Sequence, residues 1–267
     1  EDQLTGGYQP TDLIIMGARP GMGKTAKMLK TAREAALMGF PIGIFSLEMG
    51  HTQLTTRMIS MESGVDSTKI RNGQWTSEDT PHINRAIKTL NSLPIFIDDK
   101  PLASLDYIDR KAAKWVRRNG VKMVIIDYLT LIGYDGEFKG NNTKQVTVIA
   151  DRLKALAKRL DIPVIALAQL SRAVEVRGGA KRPMLSDLRE SGGIEQAADI
   201  VQFLYRPEYY QITEDEEGNS LNGVAEIIYA KHRNGALDTI YAGFDPSTTS
   251  FFDGDYKAIP IDEEEPF

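Results

Sequence analysis

The chain has no cysteine among its 267 residues, which excludes a disulfide framework and a thiolate metal site. It has no long hydrophobic run either. The longest apolar stretches are strand-length, so no segment is expected to span a bilayer. No signal peptide opens the sequence, and its first residues read like the middle of a longer protein, so a cytoplasmic location is the expectation. Internal repeats, coiled-coil heptads and low-complexity tracts are likewise missing, which sets aside solenoids and fibrous assemblies.

There is also no overall positive charge to advertise a nucleic-acid partner, since the net charge is −5. Its distribution matters more. Residues 251–267 carry six acids against Lys257, a net of −5, so the preceding chain sums to zero. This end reads as a solvated, disordered tail. Within the body, residues 171–190 hold five basic side chains (Arg172, Arg177, Lys181, Arg182 and Arg189) against three acids. Phosphate binding depends on such a local patch and not on whole-chain charge. A content of 42% hydrophobic and 26% charged residues suits one large globular α/β domain.

What is present in strength is a glycine-rich turn, Gly17-Ala18-Arg19-Pro20-Gly21-Met22-Gly23-Lys24-Thr25. The P-loop pattern G-x-x-x-x-G-K-[ST] has about four residues between its glycines. Gly17 and Gly23 enclose five, so the first glycine is displaced by one, while Pro20 to Thr25 is intact. Context supports the motif. The apolar run Leu13 to Met16 predicts a buried strand, and the Ala-, Leu-, Met- and Lys-rich stretch Thr25 to Met38 a helix. In a strand–turn–helix, backbone N–H groups converge on an anion and the helix dipole adds to them. Lys24 would reach the β- and γ-phosphates, and the Thr25 hydroxyl would bind Mg²⁺.

The other candidates sit at strand ends. Ile42 to Leu47 predicts a strand leading into Glu48, a candidate base for activating water, with a helix-capping or solvated carboxylate as the plainer alternative. Met123 to Ile126 followed by Asp127 is a Walker B pattern that would complete the Mg²⁺ shell. Asp98-Asp99 ends another predicted strand, Pro94 to Asp98, but follows a shorter apolar run. Pro163 to Ala168 predicts a strand ending in Gln169, whose amide would sense a γ-phosphate or simply be a satisfied polar strand end.

Helices are expected over Thr52–Met61, Ser77–Asn91 and Ser104–Asn119, the last stopped by Gly120. Another follows from Val146, Ile149, Leu153, Leu156 and Leu160, spaced three and four apart. Residues 65–75 and 133–143 read as loops, the second mobile, and 172–186 as a long one of the kind that is often functional. A strand over Ile200–Tyr205 comes next. Val224–Ala230 and Thr239–Phe244 then predict an antiparallel hairpin around Lys231-His232-Arg233-Asn234-Gly235, with Lys231 and Arg233 on one side and His232 solvated.

Taken together, Ala18-Arg19-Pro20-Gly21-Met22-Gly23-Lys24-Thr25, Ser46-Leu47-Glu48-Met49, Ile126-Asp127-Tyr128-Leu129, Ala168-Gln169-Leu170-Ser171-Arg172, Asp187-Leu188-Arg189-Glu190-Ser191-Gly192 and Lys231-His232-Arg233-Asn234-Gly235 resemble the C-terminal motor domain of DnaB-type replicative helicases. The resemblance runs from Gly7 to about Phe252 and accounts for the displaced glycine. It implies a RecA-like P-loop NTPase fold with a mainly parallel central sheet, flanking helices and a C-terminal antiparallel hairpin, over residues 1–252. By this resemblance, the family's N-terminal helical domain and linker helix are expected to lie outside these residues. By the same resemblance, Arg19 to Thr25 bind ATP, Thr25 and Asp127 serve Mg²⁺, Glu48 is the base and Gln169 the γ-phosphate sensor. Arg233 resembles an arginine finger given to a neighbour's ATP, with Lys231 beside it. Arg189, Glu190 and Gly192 match the family's DNA-backbone loop, and the basic Arg172, Lys181 and Arg182 lie close to them in the chain. Implied partners are single-stranded DNA, further copies in a homo-hexamer when full length, a primase and a helicase loader, with no membrane. Thr130 and Ala236 depart from the family's usual Gln and Pro. A recombinase or clock-type ATPase of the same fold, or a non-motor nucleotide-binding loader module, are the competing readings.

Overall fold

A computed structural model describes residues 2–188, 192–215 and 217–253. In β1 (Leu13–Ala18) every side chain is buried, as a central strand covered on both faces requires. Alternation sends Leu13 and Ile15 to one face and Ile14 and Met16 to the other. The remaining elements are α1 (Asp2–Thr5), α2 (Lys24–Leu37), β2 (Ile42–Ser46), α3 (His51–Ser63), α4 (Ser67–Asn72), α5 (Asp79–Ser92), β3 (Ile95–Asp98), α6 (Leu105–Asn119), β4 (Met123–Asp127), α7 (Asn142–Leu160), β5 (Val164–Gln169), α8 (Ala173–Val176), α9 (Gly192–Ala197), β6 (Ile200–Tyr205), β7 (Val224–His232), β8 (Asp238–Asp245) and β9 (Ser250–Phe252).

The strands form one sheet in the order β3-β2-β4-β5-β1-β6-β7-β8-β9. Pairing is parallel from β3 through β6 and antiparallel from β6 through β9. Apolar stripes of α6 and α7 cover one face, and those of α2 and α3 cover the other. This is the expected RecA-like α/β architecture, with the C-terminal hairpin continuing the parallel sheet through β6. Among the described residues no helix is long and apolar enough to cross a membrane.

Three expectations need correction. The predicted loop at 65–75 contains α4, which forms because the Asp66 side chain accepts from the Thr68 and Lys69 N–H groups. The predicted loop at 172–186 contains α8 and ends in a 3₁₀ turn, Leu185–Asp187. The hairpin strand extends to His232, so Lys231 belongs to β7 and only Arg233 and its successors make the turn. Residues 254–267, which hold most of the proposed acidic tail, lie outside the described residues.

Close packing fixes two glycines. A Cβ on Gly17 would stand 2.8 Å from the Phe203 ring, so the displaced glycine is a strand residue that admits an aromatic from β6. On β2, a Cβ at Gly43 would stand 2.6 Å from Trp115 of α6, whose ring packs on Phe45 at 4.8 Å. Gly43→Ala is therefore expected to destabilise the domain by ~1–3 kcal/mol, as overpacking of a filled core does. Urea denaturation of parent and variant measures it; an unchanged midpoint would show that Trp115 moves freely.

Candidate nucleotide site

The loop after β1 turns at Arg19, where the Met22 N–H donates to the Arg19 carbonyl at 3.3 Å. Gly21 and Gly23 have φ of 83° and 92°, a left-handed backbone that glycine enters without steric cost. Gly23 is the N-cap of α2 and supplies no side-chain cap. The first N–H groups of a fourteen-residue helix therefore stay open to an anion, with the helix dipole behind them.

Lys24 and Thr25, the first residues of α2, face the end of β4. The Thr25 hydroxyl donates to Asp127 Oδ2 at 2.9 Å, and Lys24 Nζ lies 3.8 Å from Oδ1 and 4.3 Å from the centre of the Tyr128 ring. Asp127 is fully buried, and its Oδ1 has no hydrogen-bond partner. Burial lowers the pKa of Lys24, opposed by Asp127 and Glu48. A polyanion held at this ammonium group would raise it again.

Around the same cleft the sheet edge gathers the other strand-end residues. Ser46 pairs with Asp127 across β2 and β4, the Leu47 N–H donates to the Asp127 carbonyl at 2.7 Å, and Ser46 Oγ donates to the Met49 carbonyl at 2.6 Å. That turn projects Glu48 as an exposed residue into the cleft. Gln169, the exposed end of β5, pairs with Ala18 at the mouth of the loop and lines the cleft too. Asp98 faces elsewhere: it accepts from Tyr107 at 2.7 Å and pairs with Lys111 at 2.9 Å, while Asp99 caps α3 at the His51 N–H.

A Mg²⁺ ion fits this donor set. Hydroxyl and carboxylate oxygens suit a hard cation, and Mg²⁺ keeps several waters and needs few protein ligands beside substrate phosphates. Asp127 Oδ1, which has Lys24 Nζ at 3.8 Å and no hydrogen-bond partner, is an acceptor that suits such a shell.

Arg57 escaped the sequence reading. It stands on α3, lines the cleft with Glu48, and has no hydrogen bond or ion pair among the described residues. The signal for it was its place on the helix that follows the candidate base.

Of the remaining loop candidates, Arg19, Pro20, Gly21 and Gly23 line the cleft, the Arg19 guanidinium turning to Glu175, while Met22 is buried. The hairpin candidates lie outside it. Lys231 Nζ donates to the Glu195 and Ala198 carbonyls at 2.6 and 2.9 Å. Arg233 pairs with Asp199 at 2.9 Å and donates to the Gln196 carbonyl at 3.3 Å. Both therefore turn to one side, toward α9, as the alternation predicts. His232 Nδ1 lies 3.3 Å from the Ala236 carbonyl. β6 runs parallel to β1, with Leu204 beside Ala18 and Ile200 beside His232, so these cations occupy the sheet edge opposite the glycine loop.

Of the basic segment, Arg172 is exposed at the start of α8. Lys181 Nζ sits 5.2 Å above the Tyr210 ring. Arg182 donates to Glu226 at 2.8 Å and to Thr239 at 2.7 Å, so its guanidinium is engaged within the chain. Gly192 opens α9, whereas Arg189 and Glu190 lie outside the described residues.

Comparison with known proteins places the chain. The chain is 45% identical over 244 residues to the replicative DNA helicase DnaB of Geobacillus stearothermophilus, and to the same extent to the replicative DNA helicase DnaC of Bacillus subtilis. In each case 91% of the chain is covered against 52% of the relative, so the chain spans about half the length of the curated relatives it matches. A solved DnaB-like replicative helicase, described with its primase interactions, superposes with a TM-score of 0.88 at 39% identity, covering 95% of this chain and 60% of that one. The model of the DnaB-like helicase C-terminal domain matches residues 2–253, and the chain belongs to that family.

Proposed function

We propose that the chain is the ATP-hydrolysing motor of a replicative DNA helicase, which translocates on single-stranded DNA and unwinds duplex. The observation that carries this reading is the convergence of Lys24, Thr25 and Asp127 at an open helix N-terminus, with Glu48 and Gln169 on the same cleft. A binder alone has no need of a carboxylate beside the terminal phosphate. The relatives' names as replicative DNA helicases support the reading.

In this mechanism the backbone N–H groups of Gly21 to Thr25 hold the phosphates, and Lys24 sets its charge against the β- and γ-groups. Mg²⁺ held by Thr25 and, through its water shell, Asp127 would neutralise charge on the phosphate oxygens. Glu48 takes the proton of the attacking water, Gln169 hydrogen-bonds the γ-phosphate, and Arg57 faces the same group from within the chain. Arg233, with Lys231 beside it, serves the nucleotide of an adjacent copy in a homo-hexamer. Single-stranded DNA runs past Arg172, Gly192 and the neighbouring Arg189 and Glu190, with Lys181 and Arg182 shaping the segment that carries them. Binding through such backbone contacts has little sequence preference and weakens with salt. Primase, supported by the relative solved with its primase interactions, and a helicase loader complete the partners, and the setting is the cytoplasm.

Lys24→Ala tests the reading. It is expected to abolish tight binding of Mg-ATP, measured by calorimetry, while circular dichroism stays that of the parent. Undiminished binding would place the nucleotide elsewhere.

A further inference from the structure

The guanidinium of Arg19 does something a phosphate cradle does not require. It is buried, and it donates through Nε and Nη2 to Glu175 Oε1 at 3.0 and 2.8 Å and through Nη1 to the Leu170 carbonyl at 2.7 Å. Glu175 belongs to α8, directly after Gln169 and its neighbours, and its side chain is 39% exposed. The other shoulder of the loop is held from just past β6: Arg206 Nη1 donates to the Gly21 carbonyl at 3.3 Å, and a Cβ on Gly21 would meet the Tyr209 ring at 2.7 Å. The β6 arm starts from the sheet. The α8 arm starts from a four-residue helix with no side-chain cap.

That helix is nonetheless part of a closed unit. The Ser171 N–H donates to the Asp187 carbonyl at 3.0 Å and Arg177 pairs with Asp187, so the two ends of residues 171–188 are tied to each other, while Arg182 anchors the middle to Glu226 of β7. A displacement of this unit has a direct route to the loop through the charged, doubly hydrogen-bonded contact at Glu175. Charge-assisted bonds of this kind are about twice as strong as neutral ones, and a buried guanidinium left without its carboxylate is costly. A change at either side of this contact therefore bears directly on the other.

We propose that Glu175 is a positioning residue: through Arg19 it couples occupancy of the phosphate cradle to the arrangement of residues 171–188, the segment that presents Arg172. This rests on the nucleotide site proposed above. Coupling of this sort is a reciprocal free energy between sites, worth ~5–150-fold in affinity where it is measured.

The test is backbone hydrogen exchange of the chain with and without Mg²⁺ and a non-hydrolysable ATP analogue, read at Val174, Glu175 and Leu188, whose amides are hydrogen-bonded. In the parent chain the nucleotide is expected to slow exchange there and also in the first turn of α2. In Glu175→Ala the response at α2 should persist, with analogue affinity within a few-fold of the parent, while the response at 174, 175 and 188 falls by ~5-fold or more. Glu175→Gln, whose amide oxygen still accepts both bonds, should restore most of it; a merely structural role predicts no such rescue with α2 unaffected. A full response in Glu175→Ala, or none in the parent at these amides, overturns the inference. A parent whose α2 amides are also indifferent to the analogue sinks the nucleotide site itself.

Discussion

Arg233→Ala is expected to bind Mg-ATP as the parent does and yet to lose ~10³–10⁵-fold in turnover in the assembled full-length protein, the range over which arginine fingers act. The reason is placement. Arg233 sits at the turn between β7 and β8, at the opposite sheet edge from Lys24, and no rotamer brings it to its own glycine loop. A guanidinium there neutralises a γ-phosphoryl group only when another copy presents one. Mixing Arg233→Ala with Lys24→Ala subunits is therefore expected to restore activity, since one supplies an intact cradle and the other an intact finger. Steady-state phosphate release from mixed oligomers, verified by light scattering, decides it. Mixtures that assemble and stay inactive exclude action between subunits.

The second large effect is at Glu48. Glu48→Gln keeps the shape and exposure of the side chain but cannot accept the proton of the attacking water. Turnover should fall by ~10²–10⁴-fold, the usual contribution of a general base, while Mg-ATP affinity holds. Because Glu48 also raises the Lys24 pKa through space, a modest change in the pH dependence of binding should accompany the loss. Single-turnover chemistry separates the two. A variant that hydrolyses at the parent rate would make Glu48 a solvated strand end and nothing more.

What could be read in advance follows from range. The glycine loop, Asp127 and Gln169 announce themselves because each lies where a buried apolar run stops, and a run of four to six residues is a local signal. The same holds for α6, which ends at Asn119 just before Gly120, as expected. Short helices escaped because little of their stability comes from the apolar periodicity that marks longer ones. α8 leans on Arg19, some 156 residues away, and α4 on a side-chain cap that a loop-like composition hides. The basic count over 171–190 was correct, but it could not tell an exposed Arg172 from an Arg182 held by Glu226 and Thr239. Gly17 is instructive in another way. Spacing presented it as a misplaced member of the loop, whereas its neighbour Phe203 makes it a packing residue.

The carboxylate that holds Arg233 bears on the finger role proposed for it. Asp199 is buried and is shared: Oδ2 accepts the Leu13 N–H at 2.8 Å and contacts Lys154, and Oδ1 takes Arg233. Lys154 is nearly as secluded, itself donating to the Thr11 carbonyl at 2.8 Å, whereas the Arg233 side chain is 48% exposed. When Arg233 leaves, Asp199 remains neutralised by an ammonium group and a backbone donor, and the departing guanidinium passes into water. Undocking thus strands no buried charge, unlike the rupture of an isolated interior pair. Were Arg233 to serve a neighbour's nucleotide as proposed, Asp199 would act as a berth whose mooring Lys154 keeps occupied in its absence. A substitution at Asp199 would consequently report on the anchorage of β1 and α7 before it reported on the finger.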